Sequence, residues 1–205
     1  MAAWREALAC ADPALARVNA LVGEVPWRTE TGGFEGLVSM IVGQQVSTAS
    51  AHAIWARVKA GLGEITPGNA VAVGQEGLLT MGLSRPKARY VFGIAEAFLE
   101  HRHGVDDLDA LDDADALEAL TSLVGIGQWS AEVFLMFCEG RTDLFPVGDV
   151  ALRETLRWLD GLEVRPSETA SAARALVWAP HRSTAAHLLW AWYGAVRRGE
   201  LPRPP

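Results

Sequence analysis

Cysteine is nearly missing from this chain of 205 residues, with Cys10 and Cys138 alone. Two thiols cannot build the disulfide framework of a small secreted domain, nor supply the four ligands of an iron–sulfur cluster. Lysine is as scarce, at Lys59 and Lys87, so chemistry that needs an amine nucleophile has few candidates. No apolar run approaches the roughly twenty residues that span a bilayer. The N-terminus sets Arg5 and Glu6 beside short alanine runs, without the charged-then-apolar order of a secretory signal. A cytoplasmic protein with no membrane partner is predicted. Alternating apolar and polar stretches that would read as strands are almost absent as well.

What is present is helical periodicity. Leu15, Val18, Leu21 and Val22, then Leu37, Met40 and Ile41, and later Leu117, Leu120 and Leu123 recur at three- and four-residue steps. Helix-start signals accompany them: Asp12-Pro13, Ser84 ahead of a helix over 85–99, Asp112, and Pro166 to Glu168. About nine helices are expected, joined by connectors near Gly61–Gly68 and His103–Asp109, in an all-α fold. The Leu201–Pro205 tail is expected to fray. Half the residues are hydrophobic, enough for one sizeable core or two small lobes, and a single monomeric unit over 1–205 is the expectation.

The net charge of −7 argues at first against a nucleic-acid partner. Its distribution softens that objection. Seven acidic residues crowd positions 106–118 with no basic one, whereas Arg85, Lys87 and Arg89, and later Arg182, Arg197 and Arg198, form positive groups. The acidic run reads as a solvated loop or as one repulsive face opposite an attractive one.

Residues 123–132 read LVGIGQWSAE, and Asp149 follows a Phe145-Pro146 pair at the start of another helical pattern. A Gly125-x-Gly127 turn between two helices lets backbone amides point outward at the foot of the second helix, where they suit a phosphate. Alone, such a turn is equally a structural connector. Three further blocks accompany it: Ile41–Ser47 (IVGQQVS), Gly82–Tyr90 (GLSRPKARY), and the series Trp178, Pro180, Arg182, Ser183 and Trp190. In this order the four blocks resemble the helix-hairpin-helix DNA glycosylase superfamily, in its 3-methyladenine DNA glycosylase II (alkyladenine) branch. The resemblance covers most of residues 34–193 and looks like a short form without the N-terminal α/β lobe of larger relatives.

The resemblance implies two helical lobes with a base-binding cleft between them and a helix-hairpin-helix at about 113–140. It further implies removal of alkylated purines, of the 3-methyladenine and 7-methylguanine type, from double-stranded DNA by base flipping. This is the first step of base excision repair, and it would place a bacterial protein at the nucleoid. A carboxylate beside the sugar carbon stabilises the positive charge that develops as the C–N bond stretches, and Asp149 matches the family's catalytic aspartate. Its other reading is a helix N-cap, and the two roles are compatible. Trp129 stands where strand-cutting relatives carry a lysine, which implies no AP lyase activity.

Trp129 and Trp190 match pocket aromatics, with Phe34 a further candidate, because a cationic base is drawn to electron-rich rings. Gln44 braces the pocket wall, and Gln45 matches the wedge that fills the vacated stack. Relatives carry an aromatic where this chain has Val133. Trp55, Trp158 and Trp178 are expected in the core. Gly125, Gly127, Ser130, Arg85 and Lys87 are candidates for DNA contact. The backbone carbonyls of Thr121, Leu123 and Ile126 would hold a monovalent cation, sodium or potassium; no cofactor is implied for catalysis. Two other readings of the residues stand beside the enzyme: a non-catalytic helix-hairpin-helix DNA-binding module, which needs neither Asp149 nor an aromatic cleft, and an all-α interaction protein that never meets DNA.

Overall fold

Capping side chains set where the helices begin. In the computed structural model, which describes residues 2–25, 27 and 29–201, Asp12 accepts from the amide of Ala14 at 2.9 Å and opens α2 (Pro13–Val22). Ser47 caps α4 (Thr48–Leu62), Thr66 caps α5 (Pro67–Thr80), Asp112 caps α7 (Asp113–Thr121) and Ser167 caps α10 (Glu168–Ala175). Each such cap contributes about 1 kcal/mol. The remaining helices are α1 (Ala2–Ala11), α3 (Gly33–Gly43), α6 (Arg85–Leu99), α8 (Gln128–Phe137), α9 (Val150–Leu159) and α11 (Arg182–Arg197).

Eleven α-helices and no strand therefore make up the described residues, more than the nine expected. A ten-residue segment such as α1 holds too few turns for apolar spacing to tell it from a loop. The expected connectors are present: α4 ends at Leu62, α5 begins at Pro67, and short 3-10 turns fill Arg102–Gly104 and Leu108–Ala110. Of the tail expected to fray, 202–205 lie outside the described residues. No helix among the described residues is long and apolar enough to cross a membrane.

The chain divides into two compact units. Residues 30–139 form one and residues 1–29 with 140–205 form the other. In the first, α3 packs on α4 and α6, α5 packs along α6, and α7 pairs with α8. Leu37, Val38, Ile41, Val91, Ile94, Leu120, Phe134 and Leu135 fill its core. In the second, α11 is the central helix, against α1, α2 and α9. It buries Leu188, Leu189 and Trp192 with Leu15, Val18, Leu152 and Leu156.

Asp12 ties the second unit together across its two chain segments. Besides capping α2, its carboxylate accepts from the indole of Trp178 at 2.9 Å and from the guanidinium of Arg174. Burial favours the protonated acid, but these hydrogen bonds and the Arg174 charge outweigh it and hold the Asp12 carboxyl below its ordinary range. Of the three tryptophans expected in the core, Trp178 is there, 1% exposed. Trp158 is half-buried instead, stacked on Tyr193 with its indole donating to Glu154, and Trp55 is half-buried at a pocket.

Candidate active site

The hairpin folds as its glycines require. α7 ends at Thr121, residues 122–127 turn, and α8 starts at Gln128. Gly125 has φ +97°, and a Cβ there would lie 2.5 Å from the ring of Tyr90. Glycine is therefore required twice over, by backbone conformation and by the close approach of α6. Gly127 differs. It is the N-cap of α8 with φ −93° and open space where a Cβ would stand, and it offers no side-chain oxygen to the amides of the first turn. Those donors lie at the positive end of the helix dipole.

Three of the sequence blocks meet at this hairpin. The side chain of Gln44 donates from Nε2 to the Gly125 carbonyl at 3.0 Å, so it braces the hairpin. Lys87 Nζ donates to the carbonyls of Val42 and Gln44, at 2.8 and 2.7 Å, closing the open C-terminal end of α3. Lys87, a candidate for DNA contact, is half-buried with its ammonium on these two backbone oxygens, and desolvation lowers its pKa. Arg85 is exposed, as a phosphate contact requires, and Arg89 lies over the Tyr90 ring at 5.5 Å. Gln45, next to the anchored Gln44, is exposed with φ +54°. A left-handed residue other than glycine costs about 1 kcal/mol and persists where its surroundings impose it.

Trp129 is 47% exposed on the first turn of α8, and Ser130 is half-buried beside it. Phe34, expected in a base pocket, is a core residue, 6% exposed and edge-on to Phe98 at 5.5 Å. It sits on the face of α3 that packs against α6. The carbonyl of Leu123 accepts the Ile126 amide at 3.1 Å. One lone pair of that oxygen remains, and with the carbonyls of Thr121 and Ile126 the donor set is all oxygen and uncharged, a set that fits a hard monovalent cation.

In the second unit, the segment leading to Asp149 is clamped by the start of α11. Arg182 grips Asp143 with two hydrogen bonds, 2.8 and 3.0 Å, and its amide donates to the same carboxylate at 3.3 Å. Desolvation works against the charged acid, but the Arg182 hydrogen bonds and charge prevail and hold the Asp143 carboxyl below its ordinary range. Buried Ser183 takes both backbone groups of Leu144, accepting at 3.0 Å and donating at 3.2 Å, while its own amide donates to Thr142. Phe145 then packs on Trp178, ring centroids 5.5 Å apart. The chain turns with the Asp149 amide on the Pro146 carbonyl, and Asp149 Oδ1 caps α9 by accepting from Leu152 at 2.9 Å.

The Trp178 to Ser183 series thus holds the segment that carries Asp149. Trp190, half-buried on α11, meets the His187 ring edge-on at 6.1 Å, and Trp27 stacks on that same ring at 4.2 Å. Trp27 and Asp143 had no signal in the sequence, because nothing in local spacing links them to α11. Arg182 and Arg198, expected in a positive group, are paired with Asp143 and Glu200.

A helix-hairpin-helix, a glutamine loop fixed to it, and a clamped aspartate at a helix start fit one class of protein. The chain belongs to the HhH-GPD superfamily of base excision DNA repair proteins, whose family model matches residues 38–181. It is similar to a DNA-3-methyladenine glycosidase of Bacillus halodurans, at 33% identity and a TM-score of 0.85, over 93% of this chain and 88% of that one. The 3-methyladenine DNA glycosylase Mag1 of Schizosaccharomyces pombe, solved in complex with abasic DNA, aligns with a TM-score of 0.72 and 27% identity over 91% and 92%. DNA-3-methyladenine glycosylase 1 of the same yeast is 29% identical over 161 residues, 77% of this chain and 71% of that protein.

Proposed function

We propose that this protein is a monofunctional DNA glycosylase that hydrolyses the N-glycosidic bond of alkylated purines in double-stranded DNA. The observation that carries the reading is Asp149, held at the start of α9 by a segment that Arg182 and Ser183 fix in place. A rigid carboxylate beside the anomeric carbon stabilises charge that appears only in the transition state, and it orients the attacking water. Capping α9 and stabilising that charge are compatible roles of one carboxylate. The names of the relatives support the substrate class.

The hairpin would position the duplex. Amides at the foot of α8, with a cation on the carbonyls of Thr121, Leu123 and Ile126, supply positive potential without basic side chains. This reconciles DNA binding with a net charge of −7. The acidic residues Asp112, Asp113 and Asp115 open α7, and its length places them about 9 to 13 Å from the turn. Gln45 would fill the gap left by the extruded base, and Trp129 would offer that base an aromatic face. With Trp129 in the lysine position, the product is an intact abasic site.

Purified protein incubated with duplexes carrying single lesions tests the reading. Expected are release of 3-methyladenine or 7-methylguanine, strand breakage after alkali alone, and no adduct trapped by borohydride. Tight binding to all duplexes with no base released would make the protein a DNA-binding module; a trapped adduct would assign it a lyase amine.

A further inference from the structure

A recess of about 240 Å³ opens between the second half of α9 and the last turns of α11. It is lined by Glu154, Arg157 and Trp158 of α9, Arg165 of the loop that follows, and Tyr193 and Arg197 of α11. One carboxylate organises it. Glu154 Oε1 accepts from Nε and Nη2 of Arg157 at 3.0 and 2.9 Å and from the Trp158 indole at 2.9 Å, while its Oε2 accepts from Arg165 Nε at 3.2 Å. The Arg157 hydrogen bonds, joined by those of Arg165 and Trp158, hold the Glu154 carboxyl below its ordinary range, so the anchor stays ionised. Trp158 stacks on Tyr193, ring centroids 5.6 Å apart, and completes the wall.

Charge does not balance there, in a chain of net charge −7. Glu154 offsets one of three guanidinium groups. Arg197 is exposed and pairs with no carboxylate among the described residues, whereas Arg198 beside it is tied to Glu200. Arg165 uses Nε alone on Glu154, which leaves the paired Nη groups that grip a second carboxylate. The rim is aliphatic. Leu162 and Val164, on the loop that carries Arg165, are 40% and 75% exposed, and the Leu162 amide donates to the Arg157 carbonyl at 2.9 Å, which holds the loop against the recess. A nucleic-acid strand would stack its bases on aromatic faces, and here Trp158 and Tyr193 already stack on each other. A carboxylate with an aliphatic neighbour uses both the arginines and the rim.

We infer that this recess docks an acidic segment of a partner protein: a carboxylate side chain meets Arg157, Arg165 and Arg197, and an adjacent aliphatic side chain rests on Leu162 and Val164. Because Glu154 already fixes Arg157 and Arg165, less side-chain freedom is lost on binding. The site uses none of the residues assigned to excision and stands whether or not the chain removes bases.

The test titrates the full chain with a capped octapeptide of alternating glutamate and leucine, and with its glutamine and lysine counterparts, following the NMR signals of the Trp158 indole N–H and the Leu162 and Val164 methyls. The acidic peptide is expected to shift these signals and to bind at least about fivefold more tightly than the glutamine peptide, a preference that shrinks as salt rises. Arg165→Gln with Arg197→Gln removes the preference. Arg165→Glu with Arg197→Glu transfers it to the lysine peptide, a gain that partial unfolding cannot imitate. Equal binding of the acidic and glutamine peptides overturns the inference. So does a thymidine octamer that moves the same signals at lower concentration, which would make the recess a nucleic-acid site, or sodium phosphate that moves them as far as the peptide, which would leave a simple anion site. Self-association of the chain that the double glutamine variant abolishes would assign the recess to a second copy and overturn it as well.

Discussion

The turn at Gly125 and the turn at Asp149 are both fixed to the helices around them, by opposite means. At Gly125 the fixing is done by the backbone: a left-handed glycine pressed under the Tyr90 ring, with its carbonyl held by Gln44. At Asp149 it is done by side chains: the Arg182–Asp143 pair, the double hydrogen bond of Ser183, and the Phe145 ring on Trp178. In the proposed reading the first arrangement presents amides and carbonyls to a phosphate and a cation. The second leaves one carboxylate oriented. Binding through backbone groups tolerates any base sequence, and bond cleavage demands a single charge in one place.

The contrast can be broken at each end. The largest structural effect is expected from Gly125→Ala, where a Cβ must enter the Tyr90 ring and an alanine must adopt φ +97°; a loss of about 2 kcal/mol or more should appear in denaturant unfolding. Asp143→Asn comes next, with about 1 kcal/mol lost in a partly exposed pair and about tenfold slower excision as the Asp149 segment loosens. Acid should imitate it. The Asp143 carboxyl is held low when folded, so its contribution is present above the ordinary carboxylate range and is lost as pH falls through the lowered value.

Gly127→Ala sharpens the comparison, because open space and a negative φ let the fold accept a methyl group there. Stability should stay within about 0.5 kcal/mol while affinity for any duplex falls about tenfold, the methyl keeping phosphate from the amides. Unchanged affinity would make the hairpin a connector. The smallest effect separates two basic residues. Arg85→Gln should lower the slope of log affinity against log salt by about 1, whereas Lys87→Gln should leave it unchanged, since that ammonium is held by Val42 and Gln44 carbonyls.

Legibility in the sequence followed the same division. The hairpin, the helix over 85–99 and the caps Asp12, Asp112 and Asp149 could be read because glycine and capping residues act on their immediate neighbours. The inward turn of Lys87 and the burial of Phe34 against Phe98 could not, since each is decided by a helix distant in sequence. The Arg182–Asp143 clamp was hidden for the same reason.

The central claim is that Asp149 performs the chemistry and the hairpin performs the binding. Asp149→Asn keeps an oxygen to cap α9 and removes the charge. With protein in excess over a 3-methyladenine duplex, its single-turnover excision rate should fall by about 10² or more, with DNA affinity kept within about twofold of wild type. Near-normal excision by this variant, or a loss of affinity that accounts for the slower rate, would contradict the account.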